Sequence, residues 1–208
     1  MSEARQAWED HYGERERVWS GRVNVRLAEL VDPMTPGRAL DLGCGEGADA
    51  MWLAERGWHV TAVDISQTAL DRAAADAAAR DVAASIDFRR HDVTESFPEG
   101  VFDLVSAQFL HSTVPMDRAA VLRRAAAAVA PGGTLLVADH GAAPPWSKPD
   151  HRPHEFPSAA QVVESLNLDD TQWERVRVEA VDRDAVGPDG QQAVLTDNVI
   201  VLRRREPT

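Results

Sequence analysis

The sequence predicts an α/β protein built on a mostly parallel sheet and finished by an antiparallel hairpin. Three observations predict it. Short apolar runs alternate with alanine-rich helical stretches, the mark of βαβ units. A glycine cluster, Gly43, Gly45 and Gly47, separates the first apolar run from the first helical one. Near the C-terminus two alternating runs, Trp173 to Val181 and Ala193 to Leu202, are joined by Gly187-Pro-Asp-Gly190, which reads as a hairpin.

Each element follows from its residues. Pro36-Gly37 marks a turn into a first strand, Arg38 to Gly43. A helix from about Glu46 to Arg56 has Met51, Leu53 and Ala54 for its buried face and stops at Gly57. The second strand, Trp58 to Asp64, ends on an acid. Ser66 caps a helix with Ala69, Leu70, Ala73 and Ala77 at helical spacing. A third strand from about Ser85 to Arg90 leads into His91-Asp92-Val93, and a fourth, Val101 to Gln108, follows a Pro98/Gly100 turn. A helix from about Met116 to Val129 is closed by Pro131-Gly132-Gly133, and the fifth strand is Thr134 to Asp139. Gly141 to Pro157, with five prolines, reads as a long ordered loop, and Ser158 opens a short helix to about Leu168. A dinucleotide-binding sheet of six parallel strands has no terminal hairpin.

Composition narrows the function. With 44% hydrophobic and 27% charged residues among 208, the chain is ordinary globular material. Charges interrupt every apolar run well short of the ~20 residues that span a bilayer. The N-terminus lacks the apolar stretch of a signal peptide, and Cys44, alone, can form no internal disulfide; a cytoplasmic location is the simplest reading. Thirty-four acidic residues against 22 basic ones give a formal charge of -12, which disfavours nucleic acid and anionic membrane as partners. The basic run Arg203 to Arg205 reads as a solvated strand end. A small-molecule partner is expected, and no feature specifies an oligomeric state.

The strongest motif is Asp41-Leu-Gly-Cys-Gly-Glu-Gly47, between a strand and a helix. Its glycines allow a tight turn and close approach of a ligand to the backbone. Gly43, Gly45 and Ala48 also fit a variant dinucleotide fingerprint. Asp41 argues against that, because a carboxylate is a poor neighbour for a pyrophosphate. It suits a ligand with an ammonium group beside a sulfonium centre, an asymmetry to which Glu46 adds; the alternative is an acid bonded to nearby amides. Cys44 reads as small filler. Asp64, roughly 20 residues on, can accept both hydroxyls of a ribose, or simply favour a helix N-terminus. Asp92 can accept from an exocyclic amine while the Val93 amide donates to a ring nitrogen, a combination that reads adenine.

These motifs resemble the class I S-adenosylmethionine-dependent methyltransferases. ALDLGCGEG resembles their glycine-rich motif, VTAVDIS the ribose-binding acid, HDV the adenine-binding acid, FDLVSAQFLH the fourth-strand motif and PGGTLLVADH the approach to strand five. The match covers about residues 36 to 140. Tyr12 to Leu30, with VWSGRVN, resembles the N-terminal cap of small bacterial methyltransferases of the tellurite-resistance and thiopurine type. The resemblance implies a Rossmann-like seven-stranded, mostly parallel sheet with helices on both faces and a C-terminal antiparallel β-hairpin. It implies one methyltransferase domain over 1–208: a helical cap (1–35), a cofactor-binding core (36–140), and an acceptor-side loop, helix and hairpin (141–208). It implies S-adenosylmethionine as cofactor and S-adenosylhomocysteine as product, with contacts at Asp41, Gly43 and Gly45, at Asp64 and Ile65, and at Asp92 and Val93. Gln108 would face the methionine end. Trp19 and Arg22 would close over the cofactor, although core tryptophans on an amphipathic helix explain the cap as well.

Methyl transfer is an in-line displacement in which the reactive group belongs to the cofactor. His111 and His140, after strands four and five, stand where a base that titrates near neutral pH would orient the acceptor; the alternative is loop histidines bonded to backbone. His151 and His154, three apart beside Asp150 and Glu155, have zinc-like spacing, but the flanking prolines favour a solvated loop, and no metal site is expected. Trp146 and Phe156 would line an apolar acceptor pocket. Two other functions remain open. One is a non-catalytic sensor of S-adenosylmethionine or its product. The other is an NAD-dependent oxidoreductase, which Asp41, the hairpin and the lack of a Tyr-x-x-x-Lys pair disfavour.

Overall fold

The computed structural model describes residues 2–112, 114–146, 156–187 and 189–207. Two helices, α1 (Glu3–Gly13) and α2 (Val25–Val31), precede the sheet. Then follow β1 (Arg38–Leu42), α3 (Ala48–Glu55), β2 (His59–Asp64), α4 (Gln67–Ala79), β3 (Ile86–Arg90) and β4 (Phe102–Gln108). The chain continues through α5 (Arg118–Ala127), β5 (Val129–His140), α6 (Ala159–Leu166), β6 (Trp173–Val186) and β7 (Gln192–Arg204). The strands form one seven-stranded sheet in the order β3-β2-β1-β4-β5-β7-β6. Only the pairings made by β7 are antiparallel. The strand order reverses between β1 and β4, and such a reversal opens a crevice at the carboxyl edge of the sheet.

Period-two alternation sorts the core into two layers. Leu40 and Leu42 of β1, with Leu135 and Val137 of β5, pack against Leu122 and Ala125 of α5 and Val162 and Leu166 of α6. Ala39, Leu104, Leu136 and Val199 face the other way, onto Leu27 and Val31 of α2 and Met51 and Leu53 of α3. Helices therefore cover both faces, as the sequence predicts.

The boundaries differ in instructive places. The helix expected to reach Val129 ends at Ala127, and Pro131-Gly132-Gly133, expected as a closing turn, lies inside β5. Val129 pairs with Phe102, and the register then shifts so that Thr134 meets Leu104. Gly132 (φ 76°) takes up the irregularity. A Cβ on Gly133 would come within 2.9 to 3.0 Å of three carbonyl oxygens, so only glycine fits there. The expected helix to Leu168 ends two residues early because Asn167 adopts the left-handed conformation (φ 49°). The hairpin is longer than its apolar runs suggested. β6 and β7 pair from Trp173↔Arg204 out to Val186↔Gln192, well past the last β5 pair, His140↔Asp197.

Candidate active site

Alternation places the site. Asp64 of β2 shares the face of Val60 and Ala62, Asp41 that of Ala39, Gln108 that of Leu104, His140 that of Leu136 and Asp197 that of Val199. Five neighbouring strands thus put Asp64, Asp41, Gln108, His140 and Asp197 in one row. The row lies at the carboxyl edge, on the side covered by α2 and α3.

The glycine loop follows directly. Gly43, Gly45 and Gly47 have φ of 70°, 53° and 79°. A Cβ on Gly45 would stand 3.0 Å from Tyr12 Oη and 3.1 Å from Trp19 Nε1, and one on Gly47 would stand 2.8 Å from the Ala73 methyl. Asp64 holds the loop in place: one carboxylate oxygen accepts from the Gly45 amide at 2.9 Å and the other from the Ser66 amide at 2.9 Å. Burial pushes the Asp64 carboxyl above its usual range, and the amides of Ser66, Gly45 and Ile65 only partly offset this. Ile65 itself is half-buried. Asp41 is 2% exposed, and its Oδ2 has no hydrogen-bond partner among the described residues. Burial first, then the charges of Asp49 and Asp64, push the Asp41 carboxyl well up. Cys44 is bounded by the same acids; burial and their charge push its thiol up, which suits filler better than a nucleophile.

At the adenine end, Asp92 is half-buried, accepts from the Thr94 amide at 3.1 Å and from the Ser2 hydroxyl at 3.4 Å, and adjoins half-buried Val93. At the other end, Gln108 donates to Ser106 Oγ at 3.0 Å and leaves its Oε1 buried without a partner among the described residues. Ser106 pairs in register with Asp41, so these two unsatisfied acceptors are neighbours.

Residues 2–24 cross this whole edge as a cap. Glu9 accepts from the Ser66 hydroxyl (2.9 Å) and from the amides of Gln67 (2.8 Å) and Thr68 (3.2 Å), so a residue of α1 caps α4. Trp19 Nε1 donates to Tyr12 Oη at 2.9 Å above Gly45. The amides of Val18 and Trp19 donate to Glu46, which is also paired with Arg72 at 3.0 Å. Glu46 therefore latches the cap to the loop; it is not the free charge the sequence suggested. Arg72 adds bonds to the carbonyls of Tyr12 and Arg15. Trp19 reaches the glycine loop at Gly45. Arg22 is exposed, and its side chain makes no hydrogen bond among the described residues.

The two histidines come together. Their rings stack with centroids 5.8 Å apart, and Phe109, strained at φ 50°, lies 4.4 Å from the His140 ring. His111 Nε2 is buried without a hydrogen-bond partner among the described residues, 3.7 Å from Asp139 Oδ1, and Asp139 is already paired with Arg118. Burial and the Arg118 charge push the His111 imidazole down to about 4. His140 is lowered too, by burial and by His111. Both shifts favour the neutral imidazole, and that of His111 lies well below the near-neutral titration expected of it. Trp146 packs against the hairpin, where its ring would stand 2.8 Å from a Cβ on Gly187. Phe156 is half-buried; His151 and His154 lie outside the described residues. Among the described residues no cluster of three or more potential ligands could hold a metal ion.

Sequence reasoning missed Glu9, Asp49, Arg26 and Asp197. Arg26 and Arg183 both donate to Asp197 Oδ2, at 3.3 and 2.7 Å, and join α2 to the hairpin. These contacts link residues 14 to 171 positions apart, with no local spacing to betray them. Parity along β7 is the one signal that would have placed Asp197 in the row.

A nucleoside-type site at the carboxyl edge of an open α/β sheet defines a class, and comparison with known proteins narrows it. Residues 39–133 match the family model described as a methyltransferase domain. The 27-O-demethylrifamycin SV methyltransferase of Amycolatopsis mediterranei is 35% identical over 135 residues, 64% of this chain and 48% of that protein. The chain thus spans about half the length of this curated relative. TehB from Haemophilus influenzae superposes with a TM-score of 0.71 at 15% identity, over 95% of this chain and 67% of that one. Magnesium protoporphyrin IX methyltransferase from Synechocystis PCC 6803, solved with S-adenosylmethionine bound, gives a TM-score of 0.66 at 18% identity over 98% of each chain. Over residues 39–133 the chain is similar to the S-adenosylmethionine-dependent methyltransferases, its sheet has their fold, and these likenesses support S-adenosylmethionine as the cofactor. The residues present fit that group. The unsatisfied acceptors Asp41 Oδ2 and Gln108 Oε1 suit an ammonium, and a buried carboxylate at Asp64 suits a ribose diol.

Proposed function

We propose that this chain transfers a methyl group from S-adenosylmethionine to a small-molecule acceptor. The observation that carries the reading is the set of buried polar atoms without partners among the described residues, Asp41 Oδ2, Gln108 Oε1 and His111 Nε2, at the edge where such folds bind ligands. When bound, the cofactor supplies an electrophilic methyl group on a sulfonium. Asp41 accepts from its ammonium, Asp64 with Ile65 holds the ribose, and Asp92 with the Val93 amide reads the adenine. Gly43 and Gly45 let the backbone approach closely, and Gln108 faces the methionine portion. Tyr12 and Trp19 of the cap exclude water, with Arg22 at its outer rim. Such positioning contributes roughly 7–11 kcal/mol of barrier reduction in favourable cases.

His111 and His140 orient the acceptor, and a neutral imidazole nitrogen there receives an acceptor proton as it leaves. The curated relative carries an oxygen acceptor in its name, and the acidic surface favours a small molecule over nucleic acid. The 1–35 cap, 36–140 core and 141–208 acceptor side divide this work along the chain.

The test is formation of S-adenosylhomocysteine from S-adenosylmethionine over a panel of phenols, alcohols and thiols. Replacing the proton-accepting histidine by alanine is expected to lower turnover by about 10²- to 10⁴-fold. Wild-type turnover in both His111→Ala and His140→Ala would remove the histidines from the reaction. No product with any acceptor would favour a non-catalytic binding module.

A further inference from the structure

We propose that Asp49 is a second carboxylate of the cofactor's ammonium seat, facing Asp41 across the crevice, and that it joins that seat to the N-terminal cap. The inference rests on the cofactor reading above and assigns a further residue to it. Alternation along β1 turns Asp41 toward the face covered by α3, where Asp49 occupies the first turn. Asp41 is buried with one oxygen unsatisfied among the described residues, and of the charges that bear on it Asp49 acts more strongly than Asp64. Two carboxylates that face each other disfavour each other's ionisation, and a cation between them relieves that. Desolvation pushes Asp49 up to about 6, although the Asn24 amide bonded to it opposes the shift. No arginine or lysine pairs with either acid among the described residues. The chain leaves this pair to be neutralised by a ligand, and a primary ammonium with three donors matches it.

The second half of the proposal comes from Asn24. Its amide donates to Asp49 Oδ1 at 2.6 Å, and its side chain caps α2 by accepting from the Arg26 amide at 3.0 Å. Asp49 is half-buried, so the acid borders solvent as well as the cap. An ammonium seated between Asp41 and Asp49 fixes the carboxylate on which the start of α2 rests.

Calorimetric titration with two ligands separates a direct contact from a structural one. S-adenosylhomocysteine carries the ammonium; 5′-methylthioadenosine has the same nucleoside without the amino-acid portion. Asp49→Asn is expected to weaken S-adenosylhomocysteine by on the order of ten- to a hundredfold and to leave methylthioadenosine within about twofold of wild type. Asp49→Ser, which shortens the side chain but keeps a hydroxyl acceptor, is expected to give the same ratio if the asparagine variant folds poorly. Equal weakening of both ligands, or of neither, would overturn the proposal and leave Asp49 as a support for the cap. Failure of the wild type to bind either ligand would overturn the cofactor reading and this inference with it.

Discussion

Asp64→Ala is expected to weaken S-adenosylhomocysteine binding by about two to three orders of magnitude, because it removes a charged acceptor from two hydroxyls, and hydrogen bonds to charged groups contribute about 1.5–3 kcal/mol each. The loss has a second source. Asp64 also receives the Gly45 and Ser66 amides at 2.9 Å each, so its removal releases the glycine loop and the start of α4 together. The two sources are separable. Asp64→Asn keeps an acceptor for one amide and one hydroxyl, and is expected to lose less affinity than the alanine variant. Calorimetry on both, with circular dichroism to confirm the fold, reads the effect. An alanine variant binding within about threefold of wild type would mean that the ligand does not lie against β2.

Asp197→Ala is expected to be the most destabilising single change, by about 3–5 kcal/mol, the usual cost of leaving a buried partner charge uncompensated. Asp197 is fully buried and accepts from both Arg26 and Arg183. Arg26, whose side chain is 8% exposed, also donates to the carbonyls of Val181 and Asp182 at 3.3 and 3.2 Å and pairs with Glu29. Without Asp197 its guanidinium stays buried with half its compensation gone, and α2 loosens from the hairpin. For a chain of this length the melting temperature should fall on the order of 10 °C. The combined variant Arg26→Met/Asp197→Leu removes the charge with its partner and is expected to recover most of that loss. A melting temperature within about 2 °C of wild type in Asp197→Ala would show that solvent or rearrangement compensates the arginines.

The sheet was legible because its signals are local. Alternation, alanine-rich helices and the Asp41 to Gly47 turn each act within a few residues, and the structure bears out the predicted seven-stranded, mostly parallel sheet with its antiparallel end. Pro131-Gly132-Gly133 misled because the residues that end a helix also accommodate an irregular strand pairing, and only the position of Phe102 on β4 decides between them. The acids proposed for the site also had local signals: Asp41 stands near the end of β1, Asp64 at the end of β2 and Asp92 just after β3. Their electrostatics were not legible. Glu46 reads in sequence as a free loop charge, yet it is consumed by Arg72 and by two amides of the cap. His111 reads as a neutral-pH base, yet burial beside Arg118 takes it to about 4. Both outcomes depend on residues distant in the chain, as does the capping of α4 by Glu9. Desolvation is a property of the packed molecule and leaves no trace in residue spacing.

The central claim is that the crevice above β1, β2 and β4 is an S-adenosylmethionine site. Parallel calorimetric titration of the wild-type protein with S-adenosylmethionine, S-adenosylhomocysteine and NAD tests it most directly. Micromolar or tighter binding of both sulfur ligands, with no heat from NAD, is the expected result, on the order of -8 kcal/mol or better. Binding of NAD in place of the sulfur ligands would contradict it, because the glycine loop would then hold a pyrophosphate beside Asp41.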